Sequence, residues 1–174
     1  MVRRLLRLYF PTPDISLNDV GEIDITQLIE MGITALCLDL DNSLTLRKGT
    51  ELTPKAVALI DKAKDAGMQV LILSNVVWGK RRIERVELIA ARHDVKCYCA
   101  RFPWLKPNHR PYREAMKLCG STPAQTAMVG DQCGTDGRGA RKLGIFFIKV
   151  KPLGDDHWAT RPRRWLEKIA FPVS

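Results

Sequence analysis

One stretch of the sequence constrains the fold more than any other. Residues 33–38 form a continuous apolar run that ends on two aspartates one residue apart, Asp39 and Asp41, followed by Asn42 and Ser43. Such a run is typical of a strand buried on both faces, as the strands of parallel sheets are. Because ligands of open α/β sheets bind beyond the carboxyl ends of the strands, both aspartates are predicted to lie in a ligand crevice.

Predicted strands and helices alternate along the rest of the chain. Apolar runs favour strands, apolar residues spaced by three or four favour helices, and Gly or Pro marks the ends. The alternation predicts an α/β fold with one Rossmann-like parallel sheet of about five strands, flanked by helices on both faces. The predicted strands cover 33–38, 69–73, 95–99, 127–129 and 145–150, and the predicted helices cover 23–31, 53–66, 80–92, 111–118, 135–143 and 163–170.

Length and composition fit a single domain over residues 1–174. The chain has 174 residues, of which 45% are hydrophobic, and it shows neither an internal repeat nor a linker. That is enough to bury one full core. The five cysteines are odd in number and contain no CxxC pair, so buried reduced thiols are favoured over a zinc site.

Residues 1–14 form an amphipathic arm that Pro11 and Pro13 stop. We favour packing of this arm on the domain over a place among lipid headgroups, because so short a segment is a weak membrane signal. No apolar run of the sequence is long enough to cross a bilayer, and the first residues lack the cleavage pattern of a signal peptide. The expected location is therefore cytoplasmic, with peripheral membrane association as the alternative.

The net charge of +9 is distributed unevenly. A basic surface suits nucleic acid, anionic lipid or a phosphorylated substrate, and charge alone does not separate these partners from a merely solvated surface. The excess lies at Arg3, Arg4 and Arg7, over residues 80–92, and at Arg161, Arg163 and Arg164. In the predicted helix over 80–92 the arginines are expected to face outward, with Ile83, Val86, Ile89 and Ala90 facing inward.

Polar side chains follow four of the predicted strands. In a parallel sheet the carboxyl ends of the strands meet at one edge, so these side chains are expected to gather there. Neighbouring carboxylates repel each other unless a cation lies between them, and Mg²⁺ prefers their oxygen atoms. In chain order the residues are Asp39 and Asp41, then Ser74 and Asn75, then Lys106, then Gly130 and Asp131, with Asp136 in the helix that follows.

This order of motifs resembles the haloacid dehalogenase-like (HAD) phosphohydrolase superfamily and, more narrowly, the YqeG family of class IIIA HAD phosphatases. The resemblance covers about residues 25–170. It departs from the usual pattern at Ser43, where Thr is commoner, at Val76, where a second Asn is usual, and in a bulkier loop over 101–105. The matching residues are 38–44 (LDLDNSL), Ser74-Asn75, Lys106-Pro107, 130–136 (GDQCGTD), and the basic end with Arg163-Arg164 and Glu167-Lys168.

The resemblance implies a role for each of these residues. Asp39 is the expected nucleophile, which forms an aspartyl-phosphate, and Asp41 is the general acid and base. Mg²⁺ is expected to be held by Asp39, the backbone carbonyl of Asp41, and Asp131. Substrate phosphate would contact Ser43, Ser74, Asn75 and Lys106. Asp136 would orient Lys106 or waters on the metal; the alternative is that Asp136 or Thr135 caps the helix that ends at 143.

The spacing of the motifs leaves no room for an inserted cap domain. About 30 residues separate Ser43 from Ser74, and about 30 separate Asn75 from Lys106, which one crossover helix and a strand fill. A site without a cap domain suits large substrates, or it requires a lid that a partner protein supplies. Within this chain, residues 44–51 are the only candidate for a flap that covers the site. Trp78 and Trp104 are expected to pack, with a place at the substrate entrance as the alternative.

The leading substrate hypothesis is phosphatidylglycerophosphate, because YqeG-like proteins include phosphatases of this lipid and a basic surface suits its headgroup. Other phosphoesters are the second interpretation: phosphoproteins, nucleic-acid ends or small metabolites. The third is a non-catalytic module bound to RNA or the ribosome. The four candidate catalytic and metal-binding residues Asp39, Asp41, Lys106 and Asp131 argue against that module, so a nucleic-acid partner is disfavoured.

Overall fold

Six parallel strands form one sheet. The computed structural model describes residues 9–154, together with 165, 166 and 169. The strand order is β1-β6-β5-β2-β3-β4, and every neighbouring pair is parallel. The predicted α/β class and parallel sheet are confirmed. The strands are β1 (Ile15–Leu17), β2 (Ala35–Leu38), β3 (Gln69–Asn75), β4 (Lys96–Ala100), β5 (Thr126–Gly130) and β6 (Phe146–Val150).

The sixth strand, β1, is the one that the sequence did not reveal. It has three residues, too few to show an alternating pattern, and its place at the sheet edge depends on pairing with β6. The Asp14 carboxylate reinforces this pairing by accepting the Phe147 N–H at 2.8 Å. The partners are 133 residues apart in the chain, so no local signal predicts the contact.

Helices lie on both faces of the sheet, as predicted. Two short 3₁₀ turns, Val20–Glu22 and Pro123–Gln125, and a π-helical segment, Cys133–Gly137, complete the described elements. Of the predicted terminal helix, only positions 165, 166 and 169 are described, and these are helical; the remainder lies outside the described residues. The helices are α1 (Ile25–Glu30), α2 (Pro54–Asp65), α3 (Lys80–Arg92), α4 (His109–Cys119) and α5 (Arg138–Leu143).

The predicted cap of the last crossover helix is wrong. Neither Thr135 nor Asp136 stands at the start of a helix, because the helical run already begins at Cys133. No side chain in the described part of the chain caps that start or the start of α5. The Asp136 carboxylate instead forms an ion pair with Lys106 through Oδ1 and accepts the Gln132 N–H through Oδ2 at 3.3 Å.

Successive residues of β2 point to opposite faces and are buried on both. Leu36 and Leu38 lie in the core cluster that packs against α1, α2 and α3, whereas Ala35 and Cys37 lie in the cluster that packs against α4 and α5. This two-sided burial is why the run is continuously apolar. Phe10 is fully buried in the second cluster, while residues 1–8 of the predicted arm lie outside the described part.

The position of β2 in the sheet brings the motifs to one edge. Leu38 is in register with Ile72 of β3 and Val129 of β5, so β2 and β5 end at nearly the same level, and β3 continues to Asn75 at the same edge. The Asp39 N–H then donates to the Val129 carbonyl at 2.8 Å, which holds Asp39 directly at this edge. Between β2 and β4, the described chain contains α2 and α3 but no further domain.

Helices α4 and α5 are in close contact at Gly139, so a methyl group added there is expected to destabilise the protein. A β-carbon on Gly139 would collide with the ring of Tyr112, which is completely buried. We expect Gly139→Ala to lower the free energy of unfolding by about 1–3 kcal/mol, because a packed interior resists added volume. Urea denaturation measures this, with Lys142→Ala on the exposed side of α5 as the control. Equal stability of Gly139→Ala and wild type would contradict the packing described.

Candidate active site

Three carboxylates converge at the carboxyl edge of the sheet. Asp39 follows β2, Asp131 follows β5, and Asp136 lies in the π-helical segment after it. One oxygen from each lies within 4.8 Å of the others. Asp131 and Asp136 are buried, and the Asp39 side chain is 13% exposed, so Asp39 is the member of the cluster that reaches the surface.

Lys106 lies among these carboxylates as predicted from the motif order. Its Nζ is 2.5 Å from Asp39 Oδ1 and 2.8 Å from Asp136 Oδ1, and it donates to the Leu73 carbonyl at 2.8 Å. All of these partners lie on other elements, so the ammonium group links the ends of β2 and β3 to the segment after β5. A lysine that is 4% exposed is rare unless it is paired in this way.

Asn75 holds the backbone that carries Lys106. Its Oδ1 accepts the Lys106 N–H at 2.8 Å, and its Nδ2 donates to the Lys106 carbonyl at 3.2 Å. This pair of bonds fixes the loop after β4 against the end of β3. The sequence pointed to Asn75 as a site residue, but the two-way bond to Lys106 depends on a contact over 31 residues.

Tyr112 and Gly130 fix the Asp136 segment. The Tyr112 hydroxyl donates to the carbonyls of Thr135 and Asp136 at 3.0 and 3.1 Å. A β-carbon on Gly130 would lie 2.5 Å from Asp136 Oδ2, so the segment approaches β5 as closely as it does only because residue 130 is glycine.

The cluster changes the ionisation of its members. Burial raises the pKa of Asp39 to about 8; the nearby Lys106 opposes this rise, whereas Asp136 and Asp131 add to it. Burial alone would lower the pKa of Lys106, but the carboxylates of Asp136 and Asp39 outweigh it and raise that pKa above its ordinary value. Lys106 is therefore a permanent cation, and Asp39 needs further positive charge nearby to stay ionised at neutral pH.

The donor set suits a hard divalent cation. Among the described residues the cluster of potential metal ligands consists of carboxylates, which Mg²⁺ prefers to nitrogen or sulfur. Asp39 and Asp131 could hold such an ion, together with the backbone carbonyl of Asp41. All five cysteines are free.

Asp41 is bonded through both carboxylate oxygens. Arg85 donates to Oδ2 at 2.8 Å, and the Lys48 N–H donates to Oδ1 at 2.9 Å. Arg85 also donates to the Gly49 carbonyl at 2.7 Å, so it ties α3 to the loop after β2.

Arg85 was predicted to lie on the outward face of α3, and this is wrong. Its side chain is only 16% exposed and forms the ion pair with Asp41. The position borders the apolar stripe formed by Val86 and Ile89, where helical periodicity does not separate a half-buried side chain from a solvated one. Its nearness to Val86 is the one local signal that could have drawn attention to it.

A cleft of about 400 Å³ opens beside Asp39. Ser74, Asn75 and Lys106 line this cleft, as does Asp41. Ser43 differs: it is 1% exposed, and its hydroxyl lies 3.5 Å from Asp39 Oδ2. The structure therefore brings Ser43 to the Asp39 carboxylate rather than to the cleft surface. Besides Lys106, the basic residues of the lining are Arg47, Lys48, Arg82 and Arg85, none of which was singled out from the sequence.

The predicted flap, residues 44–51, is anchored at several points. Leu44 and Thr45 are buried, and the Thr45 hydroxyl donates to the Glu51 carbonyl at 2.6 Å. Arg92 of α3 donates to the Thr50 carbonyl at 3.4 Å and forms an ion pair with Glu51. The exposed turn over 46–50 is thus held at its base by α3.

The two tryptophans near the edge differ in how far they pack. Trp78 is 74% exposed, so the expectation that it packs is wrong, whereas Trp104 is 44% exposed and packs on one side. Trp104 lies against the Arg110 guanidinium, with 5.4 Å between that group and the ring centroid. Neither ring lines the cleft beside Asp39.

The chain is similar to known proteins over most of its length. A profile of the family described as "Mitochondrial PGP phosphatase" matches residues 2–152. The chain belongs to this PGP phosphatase family. It is also similar to the "Probable phosphatase YqeG" of Bacillus subtilis (strain 168), with 26% identity over 166 residues that cover 94% of this chain and 91% of that protein. The PGP phosphatase match and this relative make the chain a phosphatase of the HAD superfamily, as the motifs implied.

Solved structures agree on the fold of this PGP phosphatase family member. An uncharacterized protein from Listeria monocytogenes serotype 4b has a TM-score of 0.58 at 19% identity, covering 78% of this chain and 99% of that one. A HAD-superfamily hydrolase from Ehrlichia chaffeensis has a TM-score of 0.56 at 15% identity, covering 79% and 98%. No helix in the described part of the chain has the length and apolarity needed to cross a bilayer.

Proposed function

We propose that the chain is a Mg²⁺-dependent phosphomonoester hydrolase that works through an aspartyl-phosphate on Asp39. The observation that carries this proposal is the position of Asp39. It is the part-exposed member of a buried carboxylate cluster, it pairs with Lys106, and it lines an open cleft. A carboxylate that is both fixed and accessible can serve as a nucleophile.

The first step forms a bond between an Asp39 oxygen and phosphorus and breaks the bond from phosphorus to the ester oxygen. Asp41, once it is protonated and released from Arg85 and the Lys48 N–H, gives its proton to the leaving alkoxide. In the second step water attacks the phosphorus, Asp41 takes a proton from that water, and the Asp39 carboxylate leaves. Ser74 holds the phosphoryl oxygens, and Lys106, whose ammonium group is bonded to Asp39, Asp136 and the Leu73 carbonyl, supplies fixed positive charge where charge accumulates during transfer.

The metal would be held by the carboxylates of Asp39 and Asp131 and by the backbone carbonyl of Asp41. When bound, Mg²⁺ supplies positive charge that offsets the repulsion between the Asp39 carboxylate and an anionic phosphate. The geometry supports this assignment, because three carboxylates lie within 4.8 Å of one another beside the ammonium group of Lys106. Burial, the main cause, raises the pKa of Asp39, and a bound cation would oppose that rise.

Removal of divalent ions is expected to stop turnover. Excess EDTA should reduce phosphate release from an aryl phosphate to background, and added Mg²⁺ should restore it, since Asp39 then regains its positive neighbour. Thermal unfolding should move to higher temperature on Mg²⁺ addition, by the stabilisation that any ligand of the native state gives. Full activity in excess chelator would exclude the metal assignment.

The lipid phosphatidylglycerophosphate is our proposed substrate. Three observations support it: the family description, a cleft without an enclosing domain, and exposed aromatic rings on loops that follow strands of the sheet. Trp78 and Phe102 are 74% and 70% exposed on loops that follow the neighbouring strands β3 and β4. Aromatic rings beside basic residues are common where proteins meet the lipid headgroup region.

Release of phosphate from vesicles that contain phosphatidylglycerophosphate tests this substrate. We expect the double variant Trp78→Ala/Phe102→Ala to lose roughly tenfold on vesicles, by loss of apolar contact with the bilayer, and to keep its activity on a soluble aryl phosphate. Leu88→Ala/Leu118→Ala, which alters exposed apolar residues on α3 and α4, is the matched control. Hydrolysis of the aryl phosphate without any release from vesicles would refute the lipid substrate.

A further inference from the structure

The cleft beside Asp39 carries a surplus of positive charge. Its lining contains five cations and three carboxylates. Lys106 pairs with Asp39 and Asp136, and Arg85 pairs with Asp41. The other three cations, Arg47, Lys48 and Arg82, form no ion pair with any of the described residues. We call these three residues the cation rim.

The backbone positions of the cation rim are fixed by contacts already described. Lys48 has a φ of +62°, uncommon for a residue with a side chain, and its N–H is bound to the Asp41 carboxylate. Arg85 ties the adjacent Gly49 to α3. Arg82 lies three residues before Arg85 and therefore on the same face of α3. Two elements that are tied together thus present their cations to one cleft.

The phosphoryl group that is transferred does not account for this charge. In the proposed function that group would be neutralised by Lys106 and by a divalent ion that the carboxylate cluster would hold. Three further cations in one cleft repel each other unless an anion lies among them. Two of them are arginines, whose planar donors bind phosphate oxygens in pairs.

We propose that the cation rim, Arg47, Lys48 and Arg82, binds a second phosphate of the substrate, separated by a short linker from the phosphomonoester that is cleaved. The inference rests on the proposed function, because it assumes that the first phosphate sits at Asp39. The ligand class is a phosphomonoester that also carries a phosphodiester or another phosphate. The headgroup of phosphatidylglycerophosphate and a sugar bisphosphate share this chemistry.

Binding measurements test the site without turnover. In an Asp39→Asn background, calorimetric titration compares a sugar bisphosphate with its monophosphate, and the deacylated lipid headgroup with glycerol phosphate. We expect the ligand with two phosphates to bind roughly tenfold more tightly or better, the gain expected of one or more added charge-assisted hydrogen bonds. If the headgroup binds more tightly than glycerol phosphate but the bisphosphate binds no more tightly than the monophosphate, the site is specific for a phosphodiester. If both two-phosphate ligands bind more tightly than their one-phosphate partners, the site accepts any second phosphate.

Charge-neutralising variants show which residues are responsible for the tighter binding of ligands with two phosphates. Changing Arg47, Lys48 and Arg82 to Gln together should abolish the preference for two phosphates and leave monophosphate binding within about twofold. The control changes the exposed residues Lys62, Arg113 and Lys117 to Gln, with the same loss of charge, and should keep the preference. Equal losses in both variants would reveal a general charge effect and overturn the site.

Steady-state kinetics separate failure of this site from failure of the proposed function. In wild type, a second phosphate should lower KM, and the rim variant should lose this effect while its kcat on aryl phosphate stays unchanged. A protein that hydrolyses aryl phosphate yet binds both ligand types equally would overturn the second site and leave the phosphatase mechanism standing. Rim-dependent binding without hydrolysis of any phosphomonoester would support the site and refute the mechanism.

Discussion

Asp39→Asn is expected to lower kcat by roughly 10³-fold or more, as loss of a covalent nucleophile does in other enzymes. The amide has nearly the same shape as the carboxylate but is a far poorer nucleophile, so an aspartyl-phosphate cannot form. The fold should persist, because the Asn carbonyl can still accept a hydrogen bond from Lys106, and loss of one negative charge reduces repulsion with Asp131 and Asp136.

Phosphate release from an aryl phosphate and thermal unfolding, measured on the same preparation, check both parts of this prediction. Asp61→Asn, which changes an exposed aspartate of α2, is the matched control and should retain full activity. If Asp39→Asn kept activity within a few-fold of wild type, Asp39 would not be the nucleophile. If it lost activity by unfolding, the melting curve would show this directly.

Lys106→Met is expected to reduce both stability and turnover. The side chain is 2% exposed and bonds two carboxylates and a carbonyl, so its removal leaves buried charge uncompensated. The loss of a buried ion-pair partner costs about 3–5 kcal/mol in the free energy of unfolding. Turnover should fall as well, because the phosphoryl oxygens lose their fixed cation.

A double variant isolates the electrostatic cause. Lys106→Met/Asp136→Asn removes one of the stranded charges and should be more stable than Lys106→Met alone, whereas Lys62→Met on the exposed side of α2 should resemble wild type. Denaturation in urea measures all three variants. A Lys106→Met protein as stable as wild type would contradict the role of Lys106 as the link between the carboxylates.

Some of the candidate site was accessible from the sequence because its signals are local. Asp39 and Asp41 follow a strand whose burial on both faces is evident from its composition, and Asp131 follows another such strand. Parallel strands leave their carboxyl ends at one edge, so topology alone brings these residues together. The Asp39–Asp131–Asp136 cluster and its contact with Lys106 follow from that rule.

Other features of the site depend on contacts that no local pattern specifies. Arg85 and Asp41 form an ion pair although 44 residues separate them in the chain. Asn75 and Lys106, which are hydrogen-bonded to each other, are 31 residues apart. A basic helix with an apolar stripe predicts solvated arginines, and only the packing of α3 against the loop after β2 turns Arg85 inward. The exposure of Trp78 was missed for a related reason, since composition favours burial of tryptophan wherever a core is available.

The sequence by itself determined the parallel sheet, the central strand β2 and the edge at which the candidate site residues gather, because apolar periodicity and strand ends are properties of short segments. The tertiary structure alone decided the edge strand β1, the helical start at Cys133, the Arg85–Asp41 pair and the convergence of the cation rim. Each of these depends on which distant segments come into contact, and the balance between burial and ion pairing at those contacts is set only when the chain is folded.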